Sequence, residues 1–406
     1  MSKVSVREMA KKAEKKPSAI GPDIDLNAYS AEVKEHGKIQ RLKELSDEVK
    51  EKAISTGIDA EEACRSGSFF QMDHSVILSS AYQKGIEVMS STMALKKYDW
   101  LPDYWWKAVN VDEDKYTAQA ELKQNHGYFL RALPGAKAVF PLQACLYMTQ
   151  EGLAQNVHNI IIAEEDSELH IITGCTTAPG VRTGLHIGIS EFYVKKNAQV
   201  TFTMIHNWAE DVEVRPRSGA IVDSNGIFLS NYVCMKPVKT LQMYPTAYCV
   251  GENATVRYNT ILFATEGSNM DVGSRVFLRA KGSRAELVAR AITRGGDIVT
   301  RGHLIGEVPG IKAHLECRGL ILSEKGRIHA IPELEGKVNG IDMSHEAAVG
   351  KIAAEEIQYL MARGLSSEEA TSAIIRGFLD VEIKGIPEHL KREIKKAVSM
   401  GEERLM

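Results

Sequence analysis

The sequence has no long apolar run and no strong charge of either sign. Nowhere do 18 apolar residues follow one another, the minimum for a membrane-spanning helix. The N-terminal stretch MSKVSVREMAKKAEKK lacks the apolar segment of a signal peptide. The 50 basic and 53 acidic residues give a formal net charge of -3, without the basic excess of a nucleic-acid-binding protein. We therefore expect a cytoplasmic protein that binds neither membranes nor nucleic acids.

Cysteine is scarce and scattered. Six cysteines occur singly along the 406 residues, a spacing that fits neither a disulfide framework nor a paired-cysteine zinc site. In a reducing compartment we expect most of them to be small core residues, and spacing alone does not show which of them is reactive. They are Cys64, Cys145, Cys175, Cys234, Cys249 and Cys317.

Several catalytic motifs are also missing. The chain has no G-x-x-x-x-G-K-S/T phosphate loop and no G-x-G-x-x-G between a strand and a helix, so it is not itself a nucleotide hydrolase of those classes. The stretch HEAAV approaches the zinc-protease sequence H-E-x-x-H, but Val349 stands where the second imidazole is required. No G-x-S-x-G elbow of a serine hydrolase occurs.

Composition and periodicity divide the chain into three regions. Helical periodicity in KIQRLKELSDEVKEKAISTG and HSVILSSAYQKGIEVMSSTMALKKY predicts a helical N-terminal region over residues 1–95. Residues 96–345 are rich in short strand patterns. Residues 346–406 are predicted to be helical, with a capping box formed by Ser366 and Glu369 and a last helix that begins at Pro387.

The central region repeats. Turn-like stretches rich in Gly, Asn and charged residues are centred near residues 167, 198, 225, 254, 283, 310 and 339, an interval of roughly 27 to 31 residues. No helical pattern separates successive strands, which argues against alternating strands and helices. A fixed period of strands and turns predicts a stacked β-solenoid, or β-helix, and an open double-layered sandwich is the alternative.

Tryptophan is concentrated in YDWLPDYWWKAV, which holds Trp100, Trp105 and Trp106. Such a cluster is able to stack sugars or bases. The interpretation that we favour is that it closes one end of the core, because no basic residues alternate with the rings.

The repeat suggests a chemical site. Cys317 lies seven residues after the turn centre at 310, and Glu346 lies seven residues after the centre at 339. Adjacent coils of a parallel ladder are about 4.8 Å apart, so the thiol, the carboxylate and the imidazole of His345 are candidates for a mixed iron site. Strand alternation opposes this hypothesis. Cys317 has the parity of Ala313 and Leu315 and so faces the core, and His345 and Glu346 have opposite parities.

Three stretches resemble one known family. They are FFQMDHSVILSS (69–80), EEDSELHIITGCTTAPG (164–180) and, most specifically, RIHAIPELEGKVNGIDMSHEAAVGKIAAEEIQYLMARGLSSEEATSAIIRGFL (327–379). These stretches resemble the SufB/SufD family, scaffold components of the Suf iron–sulfur cluster assembly system. The resemblance implies a mainly β protein, with a right-handed parallel β-helix flanked by N-terminal and C-terminal α-helical regions.

The resemblance also implies partners and cofactors. The C-terminal helices are expected to bind SufC, an ABC-type ATPase, so that ATP acts through the partner and this chain is a scaffold rather than an enzyme. A sulfur donor protein is a further expected partner. The expected cofactors are iron and a transient iron–sulfur cluster, and flavin is an additional candidate.

Site residues follow from the resemblance position by position. Cys317 in LECRGLIL matches the SufB cysteine associated with the nascent cluster, and Glu346 in SHEA matches its paired glutamate. His345 matches a histidine that SufD relatives contribute to the same interface. A chain that carries all three is SufB-like and is expected to form a homodimer through the end of the β-helix. Cys175 in TGCTTAP matches a proposed sulfur acceptor.

One departure and two alternatives accompany this interpretation. Some SufB relatives carry clustered N-terminal cysteines, whereas this chain has only Cys64 in that region, so no N-terminal cluster site is expected. The first alternative is a carbohydrate-active β-helix enzyme that uses the tryptophan cluster to hold sugar. The second is a metal-free adaptor that docks an ATPase, and a heterodimer with a SufD-like subunit also remains open.

Overall fold

A computed structural model describes residues 5–379 of the chain. The predicted helix that begins at Pro387 lies outside the described residues. The helices are α1 (Val6–Ala13), α2 (Asp47–Ile54), α3 (Ser91–Lys97), α4 (Lys115–Leu122), α5 (Ala354–Met361) and α6 (Ser367–Leu379). None of the helices within residues 5–379 is long and apolar enough to cross a membrane.

Most of the described chain is strand. The strands are β1 (Gly67–Met72), β2 (Ser75–Ala81), β3 (Ile86–Ser90), β4 (Tyr128–Ala132), β5 (Leu142–Met148), β6 (Leu153–Ala163), β7 (Glu168–Thr177), β8 (Thr183–Val194), β9 (Gln199–Asn207), β10 (Asp211–Val214), β11 (Arg217–Val222), β12 (Ile227–Cys234), β13 (Thr240–Met243), β14 (Thr246–Cys249), β15 (Thr255–Thr265), β16 (Asn269–Leu278), β17 (Arg284–Arg294), β18 (Asp297–Gly306), β19 (Lys312–Ile321), β20 (Arg327–Gly336) and β21 (Asp342–Lys351).

The strands form two long sheets. Sheet 1 has the order β2-β1-β5-β7-β9-β12-β15-β17-β19-β21, and sheet 2 runs from β3 through β4, β6, β8 and the later strands to β20. All pairings along the two sheets are parallel, except β1 with β2 and β3 with β4 at the N-terminal end. The chain therefore winds as a β-solenoid of about eight turns. This confirms the predicted mainly β, β-helical fold and excludes the sandwich, whose strands pair antiparallel.

One residue of each turn that precedes a sheet 1 strand, from β7 to β21, has a left-handed backbone. These residues are Asp166, Asn197, Asn225, Asn253, Gly282, Gly310 and Gly340, with φ between 54° and 78°. Asn, Asp and Gly are the residues that adopt this conformation with least strain. The amides also stack from coil to coil, because Asn225 Nδ2 donates to Asn197 Oδ1 at 3.0 Å and Asn253 Nδ2 donates to Asn225 Oδ1 at 3.3 Å. The predicted period therefore corresponds to one turn of the solenoid.

The tryptophan cluster packs on the outer face of sheet 2. Trp105 and Trp106 are buried against His158, with ring centroids 3.7 and 4.4 Å apart. Their indole N–H groups donate to the carboxylate of Glu121. Both rings are thus enclosed, which leaves the rings of Trp105 and Trp106 no open surface on which a sugar would stack. Their role is packing, but they cover the outer face of sheet 2 and do not close one end of the core as expected.

The first strands were not expected from the sequence. Helical periodicity predicted helix over residues 74–98, but β2 and β3 occupy residues 75–81 and 86–90, and only α3 is helical there. The preceding strand β1 is buried on both faces, so its apolar run carries no alternation that would distinguish a strand from a helix. At the other end, β21 extends to Lys351, beyond the expected start of the helical region at 346.

The C-terminal helices lie beside sheet 1. The predicted capping box is present, since Glu369 N–H donates to Ser366 Oγ at 3.2 Å and Ser366 N–H donates to Glu369 Oε2 at 2.7 Å. Ile375 and Leu379 of α6 pack with apolar residues on the outer face of sheet 1, among them Ile292. Helix α5 buries no side chain among the described residues.

Candidate functional site

The candidate site lies at the last coil of the solenoid, formed by β20 and β21. Within residues 5–379, β21 pairs only with β19 and β20 pairs only with β18. Most side chains of both strands are exposed, whereas β19, one coil earlier, buries every second side chain over most of its length. The solenoid therefore has an uncovered end in which both sheets present a free strand edge.

The two edges differ in their free N–H groups. The N–H of Arg327 donates to Gly296 and that of Asp342 donates to Ile311. Because backbone groups alternate along a strand, even-numbered residues of β20 and odd-numbered residues of β21 point to the free edges. Pro332 falls at the free edge of β20 and supplies no N–H. The edge of β21 has a complete set of donors.

Cys317 lies under this open end. Its side chain faces the interior of the solenoid, where it is 2% exposed and belongs to the main core. A cavity of about 10 Å³ adjoins it, and Thr300 is among the lining residues. Burial raises the pKa of the Cys317 thiol, and a hydrogen bond with Thr300 opposes this effect. In the isolated chain the sulfur is therefore held as a protonated thiol, which is a poor nucleophile.

The register of β19 and β21 separates the three predicted ligands. Cys317 pairs with Ala347, Glu316 pairs with Glu346, and Leu315 pairs with His345. The expectation that Cys317 and Glu346 hold equivalent positions in consecutive coils is therefore wrong by one residue. Since side chains alternate between faces, His345 lies on the same face as Cys317, and Glu346 lies on the opposite, outer face. The alternative drawn from strand parity is confirmed.

The structure groups Glu346 with two residues that the sequence analysis did not select. One ligand atom from each of His314, Glu316 and Glu346 lies within 4.8 Å of the other two. All three side chains project from the outer face of sheet 1, His314 and Glu316 from β19 and Glu346 from β21. The signal was present as H-x-E at 314–316 and would have been found with a coil length of 30 residues.

Two arginines balance the carboxylates of this group. Glu316 Oε1 lies 2.7 Å from Arg290 Nη1 and 2.7 Å from Arg318 Nε. Glu346 Oε2 lies 3.6 Å from Arg318 Nη2. The ring of His314 is oriented by Ser344, whose Oγ lies 2.8 Å from Nδ1. The outer face thus carries two carboxylates and two guanidinium groups, whose formal charges cancel, beside one imidazole.

Cys175 lies far from this end. It belongs to β7, five strand steps before β19 in sheet 1, which corresponds to about 24 Å at about 4.8 Å per step. The thiol is buried, and burial raises its pKa. In the next coil its register partner is His206, whose Nδ1 lies 2.8 Å from the hydroxyl of Tyr232. The structure therefore does not bring Cys175 together with Cys317.

Comparisons with known proteins agree on one family. Residues 146–378 match the description "SUF system FeS cluster assembly, SufBD core domain". The chain is 51% identical over 405 residues to an iron–sulfur cluster assembly SufBD family protein of Methanothermobacter thermautotrophicus, covering 98% of this chain and 99% of that protein. A SufBD family protein of Archaeoglobus fulgidus is 52% identical, with 88% and 96% covered. The iron–sulfur cluster assembly protein SufB of Bacillus subtilis is 28% identical, with 89% and 79% covered.

Proposed function

Since the chain belongs to the SufBD family of the SUF iron–sulfur cluster assembly system, we propose that it is a scaffold on which a cluster is built at the open end of the solenoid. The observation that carries this proposal is the position of Cys317 on β19. Toward the open end, the single strand that follows β19 in sheet 1 of the described residues is the exposed strand β21. A thiolate there is able to hold either sulfur or iron. The chain itself performs no hydrolysis.

The ligand set is completed at the seam between two copies. The side chain of His345 lies on the inner face of sheet 1, as does that of Cys317. The side chain of Glu346 lies on the outer face of the same edge strand, β21. The free edge of β21 offers a row of backbone donors and acceptors to a second strand. A twofold contact between two such edges brings two sets of these residues to one seam, which supports a homodimer. A SufD-like second chain would pair with the same edge.

We propose that the C-terminal helices form the surface that binds SufC. Helix α5 leaves Tyr359 and Met361 57% and 45% exposed, and exposed aromatic and methionine side chains are typical of interface centres. ATP hydrolysis in the cytoplasm belongs to SufC, because this chain lacks a phosphate loop. Cys175 is proposed to accept sulfur from a donor protein, which requires a local opening of the solenoid wall.

The test is anaerobic reconstitution with iron and sulfide in the presence of SufC. We expect Cys317→Ser to abolish cluster absorbance, because a hydroxyl does not replace thiolate as an iron–sulfur ligand. The matched control is Cys249→Ser, which alters another buried core cysteine and should retain the cluster. Circular dichroism checks that both variants fold. Wild-type absorbance in folded Cys317→Ser would contradict the proposal.

A further inference from the structure

The outer face of sheet 1 carries a second group of metal-ligating side chains at the open end. We propose that His314, Glu316 and Glu346 form a site for a divalent transition-metal ion, separate from the inner face on which Cys317 lies. The identification of this ion as ferrous iron that will be built into a cluster rests on the proposed function. The existence of the site does not, because it follows from the geometry of β19 and β21.

The backbone places the three ligands without further folding. Glu316 and Glu346 are direct register partners in neighbouring parallel strands, and His314 lies two residues before Glu316 on the same face. Their ligand atoms lie within 4.8 Å of one another. Metal–ligand bonds of about 2.1 Å put two ligands of one ion at most about 4.2 Å apart. Small side-chain rotations therefore suffice to close the site.

The donor set selects the class of ion. One imidazole nitrogen and two carboxylates suit ions from Mn²⁺ to Zn²⁺, including Fe²⁺, better than they suit Ca²⁺ or Cu⁺. The hydroxyl of Ser344 holds the ring of His314 in place. A hydrogen bond of this kind to a ligand histidine fixes ring orientation and commonly supports metal affinity.

Arg318 is the competitor of the metal ion. It bridges both carboxylates, at 2.7 Å from Glu316 and 3.6 Å from Glu346, and its own side chain is half exposed. Arg290 is nearly buried and contacts the same Glu316 oxygen, Oε1, so we assign Oε2 as the ligand atom. A cation that enters must displace Arg318 into solvent, whereas Arg290 stays. The site is therefore weak until Arg318 moves, which suits an ion that is to be passed on.

The experiment measures binding of Co²⁺ and Mn²⁺ to the full chain under anaerobic conditions, by visible absorption and by electron paramagnetic resonance. We expect His314→Ala and Glu346→Gln each to weaken binding at least about tenfold, the loss that follows even from removing an outer-shell partner. Glu346 is 66% exposed, so Glu346→Gln does not threaten folding. The matched control is His329→Ala, an exposed histidine of the last coil, which should bind normally.

Arg318→Gln should change the affinity for the metal ion in the opposite direction. Removing the competing guanidinium should tighten Co²⁺ binding several-fold, whereas a purely structural ion pair would give no gain when it is broken. Unchanged affinity in His314→Ala, or weaker affinity in Arg318→Gln, would overturn the inference.

The two proposals fail separately. Cys317→Ser removes the thiol of the inner face and should leave Co²⁺ binding unchanged. If the wild-type chain assembles a cluster but binds no Co²⁺ or Mn²⁺, the outer site is wrong and the scaffold proposal stands. If it binds Co²⁺ through His314 and assembles no cluster, the reverse holds.

Discussion

At the scale of single residues, the carboxylate of Glu191 on the outer face of sheet 2 is a buried polar group that needs several hydrogen-bond donors. It is fully buried and accepts hydrogen bonds from the backbone N–H groups of residues 106–109 and from His158 Nε2. A buried charge is tolerated only when its hydrogen-bonding capacity is filled in this way. Glu191 thus ties the tryptophan segment to the wall of the solenoid.

We expect Glu191→Gln to lower the free energy of unfolding by about 3 kcal/mol, because the amide NH₂ would face N–H donors and the charge-assisted hydrogen bonds would be lost. Urea denaturation followed by tryptophan fluorescence measures the change. Glu210→Gln, on an exposed side chain, serves as the control and should lie within about 0.5 kcal/mol of the wild type. Equal midpoints for the two variants would show that the Glu191 network is not required.

Buried histidines make stability depend on pH. Burial lowers the pKa of His186 from 6.5 to about 3 and lowers the pKa of His206 strongly. Between about pH 6.5 and pH 3 the unfolded chain binds a proton at His186 and the folded chain does not. Stability is therefore full above the unfolded pKa and is lost as the pH falls below it.

The expected loss is about 1.4 kcal/mol per pH unit for each such histidine. Urea titrations between pH 7 and pH 4.5 measure it. His186→Gln removes one of these protons and should reduce the slope by about 1.4 kcal/mol per pH unit, whereas His329→Ala, on an exposed residue, should not. A slope that His186→Gln leaves unchanged would contradict this assignment.

At the scale of elements, the turns specify the coil. Asn225 combines a left-handed backbone with amide hydrogen bonds to the turns above and below. We expect Asn225→Val to destabilise the chain by about 1–2 kcal/mol and Asn225→Gly, which accepts the same φ, to cost less. Thermal unfolding of both variants measures the difference. Equal melting temperatures would mean that backbone strain at the turn is unimportant.

The sequence was sufficient to predict the coil period but not the register. The repeat in the sequence places two turn centres at 310 and 339, whereas the left-handed glycines of these turns in the structure are Gly310 and Gly340. An error of one residue moves a side chain to the other face of a strand. This is why Glu346 was expected beside Cys317 and is found beside Glu316.

Helix α5 is the element that we expect to contact SufC. We expect Tyr359→Ala to weaken the complex with SufC at least about tenfold, as truncation of an interface aromatic commonly does, without change in thermal stability, since the ring is exposed. Val139→Ser removes an apolar side chain that is 68% exposed near the other end of the solenoid and should leave binding unchanged. Calorimetric titration with SufC gives both values, and equal affinities would direct the search to another surface.

At the scale of the whole molecule, we expect the open end of the solenoid to determine how two copies associate. The N–H of Ala347 points to the free edge of β21, so Ala347→Pro removes one donor there without breaking the ladder to β19. We expect this variant to be monomeric and Ala347→Val to remain dimeric. Light scattering after size exclusion measures the masses, and the wild type with SufC should give two chains of each protein. A dimeric Ala347→Pro would place the contact elsewhere.

The proline in the middle of β20 would limit how far the proposed association of copies proceeds. If the free edges of both β20 and β21 could pair with strands of further copies, the copies could stack end to end into a fibre. Pro332 removes one N–H donor from the free edge of β20, and at the opposite end the outermost pairings, β1 with β2 and β3 with β4, are antiparallel. If two copies pair through β21 as proposed, the edge that each copy would keep at this end of the described residues is that of β20, which Pro332 makes a poor partner for a third copy.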